Sequence, residues 1–352
     1  MITPIAIDGR EIGPEFPPYI IAELSGNHNG DINRAIELIN IASEAGADAV
    51  KLQTYTADTI TIDHDGPDFV IKDGLWKGKK LYELYDESHT PWDWHDRLFK
   101  CARKLGITIF SSPFDYTAVD LLYSLNAPAY KIASFENIDT PLIKRVAEKD
   151  KPVIISTGMA SQEEISEAVE TVQNVSSAGL VLLHCVSGYP TPPSEANLAT
   201  ISDMATNYNV PVGLSDHTLG IAVPVAAVAL GACLIEKHIT LSRHEGGPDS
   251  AFSLEPKELL ELVEQCRNVY SAIGKVDYSI KNSESSMKKI RRSLFATKNI
   301  KKNEILSHQN IRSIRPGTGL APKHLPRVLE KKAAMDIPFG TPLEFKHLKE
   351  TK

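Results

Sequence analysis

The hydrophobic pattern of this 352-residue chain alternates between two periods. Short apolar runs rich in Val and Ile, typical of buried strands, are followed by stretches in which apolar residues recur at helical spacing. The runs predict eight strands, at residues 19–23, 49–53, 107–112, 129–134, 153–156, 180–185, 212–215 and 233–238. Helical spacing is clearest at residues 34–44, 115–124, 163–172 and 257–273. Eight strand–helix units within about 270 residues are typical of a (β/α)8 TIM barrel.

Each predicted strand is apolar in its body and becomes polar at its carboxyl end. The polar residues at these ends are Glu23, Lys51, Gln53, Ser111, Ser112, Lys131, Ser134, Ser156, Thr157, His184, Ser187, Ser215, His217, Glu236 and His238. In a parallel barrel these ends form one face, which is where such barrels carry their chemistry. A doubly wound open sheet is the structural alternative, but it gives no reason for all eight strands to end alike.

Two histidines in residues 212–239 are candidate metal ligands. His217 and His238 follow neighbouring predicted strands, joined by a predicted crossover helix at 219–230, so both are expected at the same rim of the sheet. Two converging imidazoles favour a divalent metal site. The alternative is that each histidine only hydrogen-bonds a loop carbonyl, although acidic and hydroxyl side chains crowd the same strand ends.

Two lysines at strand ends are candidate anion ligands. Lys51 and Lys131 lie in apolar surroundings, where they can hold a compact dianion such as phosphate, pair with structural carboxylates, or, for Lys131, form a Schiff base. Glu23 is a candidate for orienting a reacting hydroxyl or exchanging a proton, with a salt bridge to Lys51 as the alternative. Hydroxyl or backbone donors for the anion are expected from Ser112, Ser134, Ser156 and Ser215.

Composition narrows the class of protein. The formal net charge is −7 and no long basic cluster appears, which disfavours nucleic acid or an anionic membrane as partner. The uncharged run 218–235 is interrupted by Pro224 and Gly231 and is expected to be a helix followed by a strand. The start of the chain lacks the pattern of an export signal, and the four cysteines show no paired spacing, so a cytoplasmic protein is expected.

The pattern predicts a catalytic barrel at residues 1–274, a linker at 275–292 and a compact module at 293–352. Two segments depart from the repeat. The connection 54–94 is long and aromatic, and can either wall a substrate pocket or pack on the barrel rim. The segment 241–254 is a Gly-rich loop after the last strand, placed to fold over the proposed metal.

Ordered motifs along the whole chain resemble those of the sialic acid synthase family. They are AELSGNHNG (22–30), GADAVKLQT (46–54), SSPFD (111–115), PAYKIAS (128–134), ISTGM (155–159), HCVSGYPTP (184–192), GLSDHT (213–218), EKH (236–238) and GPD (247–249). The C-terminal IRPGTG (314–319) is similar to the antifreeze-like (SAF) domain of those enzymes.

The resemblance implies a condensation of phosphoenolpyruvate with an open-chain amino-sugar aldehyde. It implies that His217 and His238 hold a divalent metal, typically Mn2+, with Mg2+ or Co2+ as alternatives. Phosphoenolpyruvate would be held by Lys51, Ser112, Lys131, Ser134, Ser156, Ser187 and Ser215. The sugar or its developing alkoxide would meet Glu23, Gln53, Tyr189 and Asp249. Arg315, supplied by the partner subunit of a domain-swapped homodimer, would bind an N-acyl group.

Within that family, the inserted aromatic segments are most similar to the pseudaminic acid synthases. Trp76, Trp92 or Phe114 near the far end of the sugar would favour a di-N-acetylated 6-deoxy hexose over the more polar N-acetylmannosamine. Ser112 and Ser187 stand where N-acetylneuraminate synthases carry Thr and Asn. The alternatives are an N-acetylneuraminate or legionaminic acid synthase, a Lys131 imine aldolase, and a non-catalytic sugar-binding or regulatory protein.

Overall fold

The computed structural model describes residues 2–349 and divides into two compact units, residues 1–274 and 275–352. The last three residues of the predicted C-terminal module, 350–352, lie outside the described residues.

The first unit is a closed barrel of eight parallel strands, which confirms the predicted fold class. Its strands follow a short N-terminal hairpin of β1 (Ile5–Ile7) and β2 (Arg10–Ile12). The barrel strands are β3 (Tyr19–Glu23), β4 (Ala49–Thr54), β5 (Thr108–Pro113), β6 (Tyr130–Ile132), β7 (Val153–Ser156), β8 (Leu180–Cys185), β9 (Val212–Asp216) and β10 (Leu234–His238). They pair in chain order, and β10 closes the barrel against β3.

Helices follow the strands on the outside of the barrel. They are α1 (Ile32–Glu44), α2 (Ala57–Ile60), α3 (Leu81–Ser88), α4 (His95–Leu105), α5 (Tyr116–Ser124), α6 (Thr140–Ala147), α7 (Gln162–Gln173), α8 (Thr200–Tyr208), α9 (Ala222–Ala229) and α10 (Pro256–Ile273). Side chains that cap helix N-termini fix several starts, as when Asp115 accepts from the backbone of residues 117 and 118. The strand predicted at 129–134 is shorter than expected, because residues 134–136 turn into a 3-10 helix.

Two hydrophobic layers hold the barrel together. The outer layer packs the helices on the strands, and the inner layer fills the barrel below the polar rim. The N-terminal hairpin contributes Ile5, Ile7 and Ile12 to the inner layer, where they meet Tyr19 and Phe110 from the barrel strands. The hairpin therefore buries the amino-terminal end of the barrel and leaves chemistry to the opposite face.

The second unit has a small core of its own around an antiparallel pair, β11 (Ser293–Ala296) and β12 (Ile311–Ile314), with one short helix, α11 (Leu325–Val328). Its buried residues include Leu294, Ile311 and Leu343. The preceding segment 275–292 is exposed and contains only short 3-10 turns, with Tyr278 99% exposed.

Among the described residues, no helix has the length and apolar character needed to cross a membrane. The uncharged run 218–235 instead contains α9 and the start of β10.

Candidate active site

Two lysines and two glutamates form a buried network at the carboxyl end of the barrel. Lys51 Nζ lies 2.7 Å from a carboxylate oxygen of Glu23 and 3.7 Å from Glu236 Oε1, and Lys131 Nζ lies 3.4 Å from the same Glu236 oxygen. All four side chains are essentially buried. The alternation of β10 explains the placement: Glu236 and His238 are two residues apart, so both point into the barrel.

Burial and pairing act against each other in this network. Burial raises the pKa of Glu23 despite the attraction of Lys51. Burial opposes the charge on Lys51, yet Glu23 and Glu236 hold its pKa above the usual value. Burial lowers the pKa of Lys131, with Glu236 acting in the opposite direction. An ammonium group that is desolvated but kept charged by neighbouring carboxylates, as at Lys51, is suited to binding a dianion.

Hydroxyl groups surround the two ammonium groups. Lys51 donates to Ser112 Oγ at 3.2 Å, Lys131 to Ser156 Oγ at 2.7 Å, and Ser215 Oγ to Glu236 at 3.3 Å. Ser134 and Ser187 both lie beside Gly158, where an added Cβ would come within 2.8 Å and 2.3 Å of their hydroxyl oxygens. The buried Ser187 hydroxyl has no hydrogen-bond partner within residues 2–349. The five predicted serines thus lie along one arc of strand ends.

The two histidines lie side by side at the ends of β9 and β10. Their ring centroids are 5.4 Å apart. His217 Nδ1 hydrogen-bonds to the Val186 carbonyl at 3.0 Å and His238 Nδ1 lies 3.2 Å from Ser25 Oγ. Burial holds the pKa of His238 well below its usual value, so this imidazole is neutral.

Burial opposes the charge on His217, yet the neighbouring Cys185 thiol and the Val186 carbonyl raise its pKa above the usual value. Imidazoles whose Nδ1 is already engaged fit a divalent metal, because in the neutral form the Nε2 lone pair is available for coordination. Within residues 2–349 no group of three or more His, Cys, Asp or Glu side chains is arranged to hold a metal. A metal held by His217 and His238 would therefore leave several coordination positions to water or substrate, as catalytic sites require.

Polar candidates for sugar contact lie on two sides of this rim. Gln53 Nε2 donates to Glu23 Oε1 at 3.1 Å. The Tyr189 ring lies 4.5 Å from the His217 ring. Asp249 Oδ2 lies 3.8 Å from His238 Nδ1, and burial raises the pKa of this carboxyl. The Gly-rich loop 241–254 thus does fold toward the histidines.

The aromatic side chains of the long connection separate into two groups. Trp76 donates its indole N–H to the Pro248 carbonyl at 2.9 Å, and its ring lies 5.5 Å from that of Tyr189, the residue beside His217, at a tilt of 53°. Trp92 instead donates to the Tyr55 carbonyl at 3.3 Å, and the Tyr55 ring meets Phe114 at 5.1 Å. Trp76 therefore lies at the rim. Trp92 instead hydrogen-bonds the backbone of Tyr55, whose ring forms a second aromatic wall with Phe114.

Arg315 lies in the second unit, after β12, and its side chain is exposed. Its role remains a prediction that depends on a second chain.

Two site residues were not among the candidates chosen from the sequence. Glu236 was noticed only as a neighbour of the histidines, yet it bridges both lysines. Glu136 follows β6, and burial raises its pKa to about 7, with one carboxylate oxygen lacking a hydrogen-bond partner in the described chain. The inward alternation of β10 could have identified Glu236, but Glu136 lies in a turn with no such signal.

Comparison with known proteins agrees with this geometry. Residues 38–278 match the NeuB family model, and residues 291–349 match the SAF domain. A pseudaminic acid synthase of Campylobacter jejuni is 44% identical over 93% of this chain and 95% of that protein. An N,N'-diacetyllegionaminic acid synthase of Legionella pneumophila is 36% identical over 96% of both chains.

Among solved structures, N-acetylneuraminic acid synthetase from Leptospira borgpetersenii aligns with a TM-score of 0.73 at 32% identity, covering 82% of this chain and 95% of that one. The NeuB family model matches more than half of the sequence. The resemblance drawn from the motifs is confirmed, and the chain belongs to the NeuB family.

Proposed function

We propose that this protein condenses phosphoenolpyruvate with an open-chain amino-sugar aldehyde, as a pseudaminic acid synthase. The observation that carries the proposal is the placement of two buried lysines and two adjacent histidines on one barrel rim. The lysines supply an anion site and the histidines a metal site, which together suit an anionic enol ester and a carbonyl acceptor.

The reaction forms one carbon–carbon bond and releases phosphate. C3 of phosphoenolpyruvate attacks the aldehyde carbon, whose oxygen becomes an alkoxide and takes a proton. Water adds to the resulting cationic C2 and loses a proton. The tetrahedral intermediate then expels inorganic phosphate, leaving a nine-carbon 2-keto sugar acid.

The lysine side of the rim would hold phosphoenolpyruvate. Lys51 and Lys131 are kept close together by Glu236, which neutralises part of their repulsion in the absence of an anion. A phosphate or carboxylate group arriving here would meet two ammonium groups and the arc of serine hydroxyls. Ser187 would donate to the same ligand, and its buried hydroxyl oxygen supports this role.

On the opposite side, His217 and His238 would hold a divalent metal, with Mn2+ as our first choice and Mg2+ or Co2+ as alternatives. When bound, such an ion supplies a Lewis acid that polarises the aldehyde carbonyl. Asp249, Gln53 and Tyr189 would orient the sugar hydroxyls, and Glu23, which accepts from Gln53, would exchange a proton with the reacting groups.

Two observations support the choice of acceptor sugar: the aromatic side chains at the rim, and the sequence identity of this chain to pseudaminic acid synthases. Trp76 over Tyr189, and Phe114 against Tyr55, give the rim two apolar walls that suit a 6-deoxy, di-N-acetylated sugar. Legionaminic and neuraminic acid synthases, being also similar in sequence, provide the alternative acceptors.

Phosphate release with alternative acceptors tests the proposal. With phosphoenolpyruvate and Mn2+, we expect kcat/KM for 2,4-diacetamido-2,4,6-trideoxy-altrose to exceed that for N-acetylmannosamine at least tenfold, one buried contact being worth about that factor. Equal turnover of the two sugars would contradict the acceptor assignment. Absence of turnover with either sugar would contradict both acceptors and leave a legionaminic acid acceptor, the Lys131 imine aldolase and the binding protein as alternatives.

A second candidate is an imine aldolase that uses Lys131, favoured by the lowered pKa of this buried amine. Borohydride treatment in the presence of substrate separates the two reactions. We expect no inactivation by borohydride and full loss of activity with EDTA, whereas an imine enzyme would show the reverse.

The partner is proposed to be a second copy of this chain. Residues 275–352 carry 18 Lys and Arg against 7 Asp and Glu, a charge of +11, so residues 1–274 carry −18 of the total of −7. Opposite charges of this size favour docking of the second unit onto an acidic barrel. In a domain-swapped homodimer, that docking would bring Arg315 to the partner's site.

A further inference from the structure

A buried ion pair lies directly behind the two histidines, on the outer side of the barrel wall. Asp216 and Lys237 are register partners on β9 and β10. Because side chains alternate along a strand, they point away from the rim that His217 and His238 share. Their side chains are only 2% and 1% exposed.

Lys237 hydrogen-bonds to the residue on each side of His217. Its Nζ donates to Asp216 Oδ2 at 2.5 Å and to the Thr218 carbonyl at 2.5 Å. Asp216 in turn accepts from the Thr218 backbone N–H at 3.1 Å and from its hydroxyl at 3.0 Å. The residues before and after His217 are therefore both fastened to the residue that precedes His238.

Stability alone does not explain such a pair. A buried ion pair usually contributes no more than well-packed apolar residues of similar size would, because desolvating both charges offsets their attraction. What the pair does supply is a fixed distance and orientation between the ends of β9 and β10. Such a constraint matters at the proposed metal site because His217 and His238 are its only protein ligands. No third ligand would hold the metal if the spacing of these two changed.

We propose that Asp216 and Lys237 form a positioning pair that sets the spacing and orientation of the His217 and His238 imidazoles for metal binding. The inference rests on the proposed metal site. It adds a role for two residues that touch neither metal nor substrate and that act through the backbone of β9 and β10.

Mn2+ binding, followed by the EPR signal of the free ion, tests this role independently of turnover. We expect Lys237→Met to raise the Mn2+ Kd about 10- to 100-fold, as loss of residues that orient metal ligands generally does. The double variant Asp216→Leu/Lys237→Met restores charge balance, and we expect it to recover the melting temperature but not the Mn2+ affinity.

Arg10→Met is the matched control. Arg10 pairs with Asp48 at 3.0 Å on the side of the barrel where the N-terminal hairpin packs, so its loss should affect stability without affecting Mn2+ binding. If the double variant is folded and binds Mn2+ within twofold of wild type, the positioning role is wrong. The double variant keeps the test decisive if the single variant does not fold.

Failure of the metal site itself would look different. Wild-type protein and His238→Ala would then bind Mn2+ equally weakly, and the positioning role would fall with the site. A site that binds Mn2+ in wild type, loses it in His238→Ala and is unaffected in the Asp216 and Lys237 variants would overturn only this inference.

Discussion

At the residue scale, the active-site rim is dominated by charges that are buried yet mutually compensated. Lys51 meets Glu23 and Glu236, and Lys131 meets Glu236, so these four side chains share one buried space lined by serine hydroxyls. Each alone would be strongly disfavoured, because an unpaired buried charge loses its hydration without replacement. In the proposed reaction, phosphoenolpyruvate would bind by replacing these carboxylate partners of the lysines with its phosphate group.

Removal of Lys51 tests the network. We expect Lys51→Met to abolish phosphoenolpyruvate binding and to lower the free energy of unfolding by about 3–5 kcal/mol, because Glu23 loses its buried counter-ion. Isothermal titration with phosphoenolpyruvate and chemical denaturation measure the two effects. The control Lys100→Met breaks an exposed ion pair with Asp96 and should cost at most about 0.5 kcal/mol. Unchanged binding in Lys51→Met would exclude this lysine as an anion ligand.

At the scale of elements, the long connection from β4 to α4 is tied to the barrel by a buried histidine. His95 is fully buried, with Nδ1 3.1 Å from the Pro91 carbonyl and Nε2 2.8 Å from Thr54 Oγ1. The Thr54 hydroxyl continues to Ser111 on β5 at 2.6 Å. These hydrogen bonds hold the two ends of the connection, Thr54 and His95, together on the barrel, and its middle brings Trp76 against Tyr189.

Low pH should destabilise the attachment of the connection at His95. Burial lowers the pKa of His95 to about 4, below its usual value of 6.5. The unfolded chain therefore binds more protons between those values, so stability is complete above about pH 6.5 and falls as the pH decreases toward 4. One such histidine can contribute a slope of up to about 1.4 kcal/mol per pH unit. We expect His95→Gln to flatten the slope in urea denaturation from pH 7 to 4.5.

The exposed His308 of the second unit provides the control, since His308→Gln should leave the slope as in wild type. A wild-type slope in His95→Gln would show that acid acts elsewhere, for instance on His28. Burial also lowers the pKa of His28 to about 4, and its ring packs against Trp94 at 5.4 Å.

At the scale of the whole molecule, the two units differ sharply in charge and in self-sufficiency. The barrel has two hydrophobic layers, whereas the second unit has one small core and an exposed approach segment with Val276 89% exposed. A small module with a charge of +11 is stabilised by docking on an acidic surface, which buries more of its area and neutralises part of its charge. The proposed swapped homodimer supplies that surface.

Mixing two inactive variants tests the swap. We expect His238→Ala and Arg315→Ala homodimers each to be impaired. Random exchange of subunits makes half of the dimers mixed, and in each of these one site has both His238 and Arg315, so activity should return to about a quarter of wild type. Recovery is measured by phosphate release after the mixture is incubated to allow exchange.

If each chain used its own Arg315, no mixed dimer would contain an intact site and activity would not return. Mixing His238→Ala with Lys51→Met is the control, because both changes lie in the barrel unit and wild-type sites cannot form whichever way the second unit docks.

The sequence by itself determined the barrel and the face on which the chemistry lies. Strand periodicity and polar strand ends are local features, and parallel strands in a closed barrel must place their carboxyl ends together, so His217, Lys51 and Lys131 could be assigned to one rim before their contacts were known. The motifs then identified the family.

Only the tertiary structure decided which of these groups touch. Three contacts depend on side chains that are separated in the chain. Glu236 pairs with both Lys51 and Lys131, Trp76 rather than Trp92 lies against Tyr189 beside His217, and Asp216 pairs with Lys237. Strand alternation tells which side of the wall a residue faces, but distance and partner follow from barrel closure and side-chain packing, which no local pattern encodes.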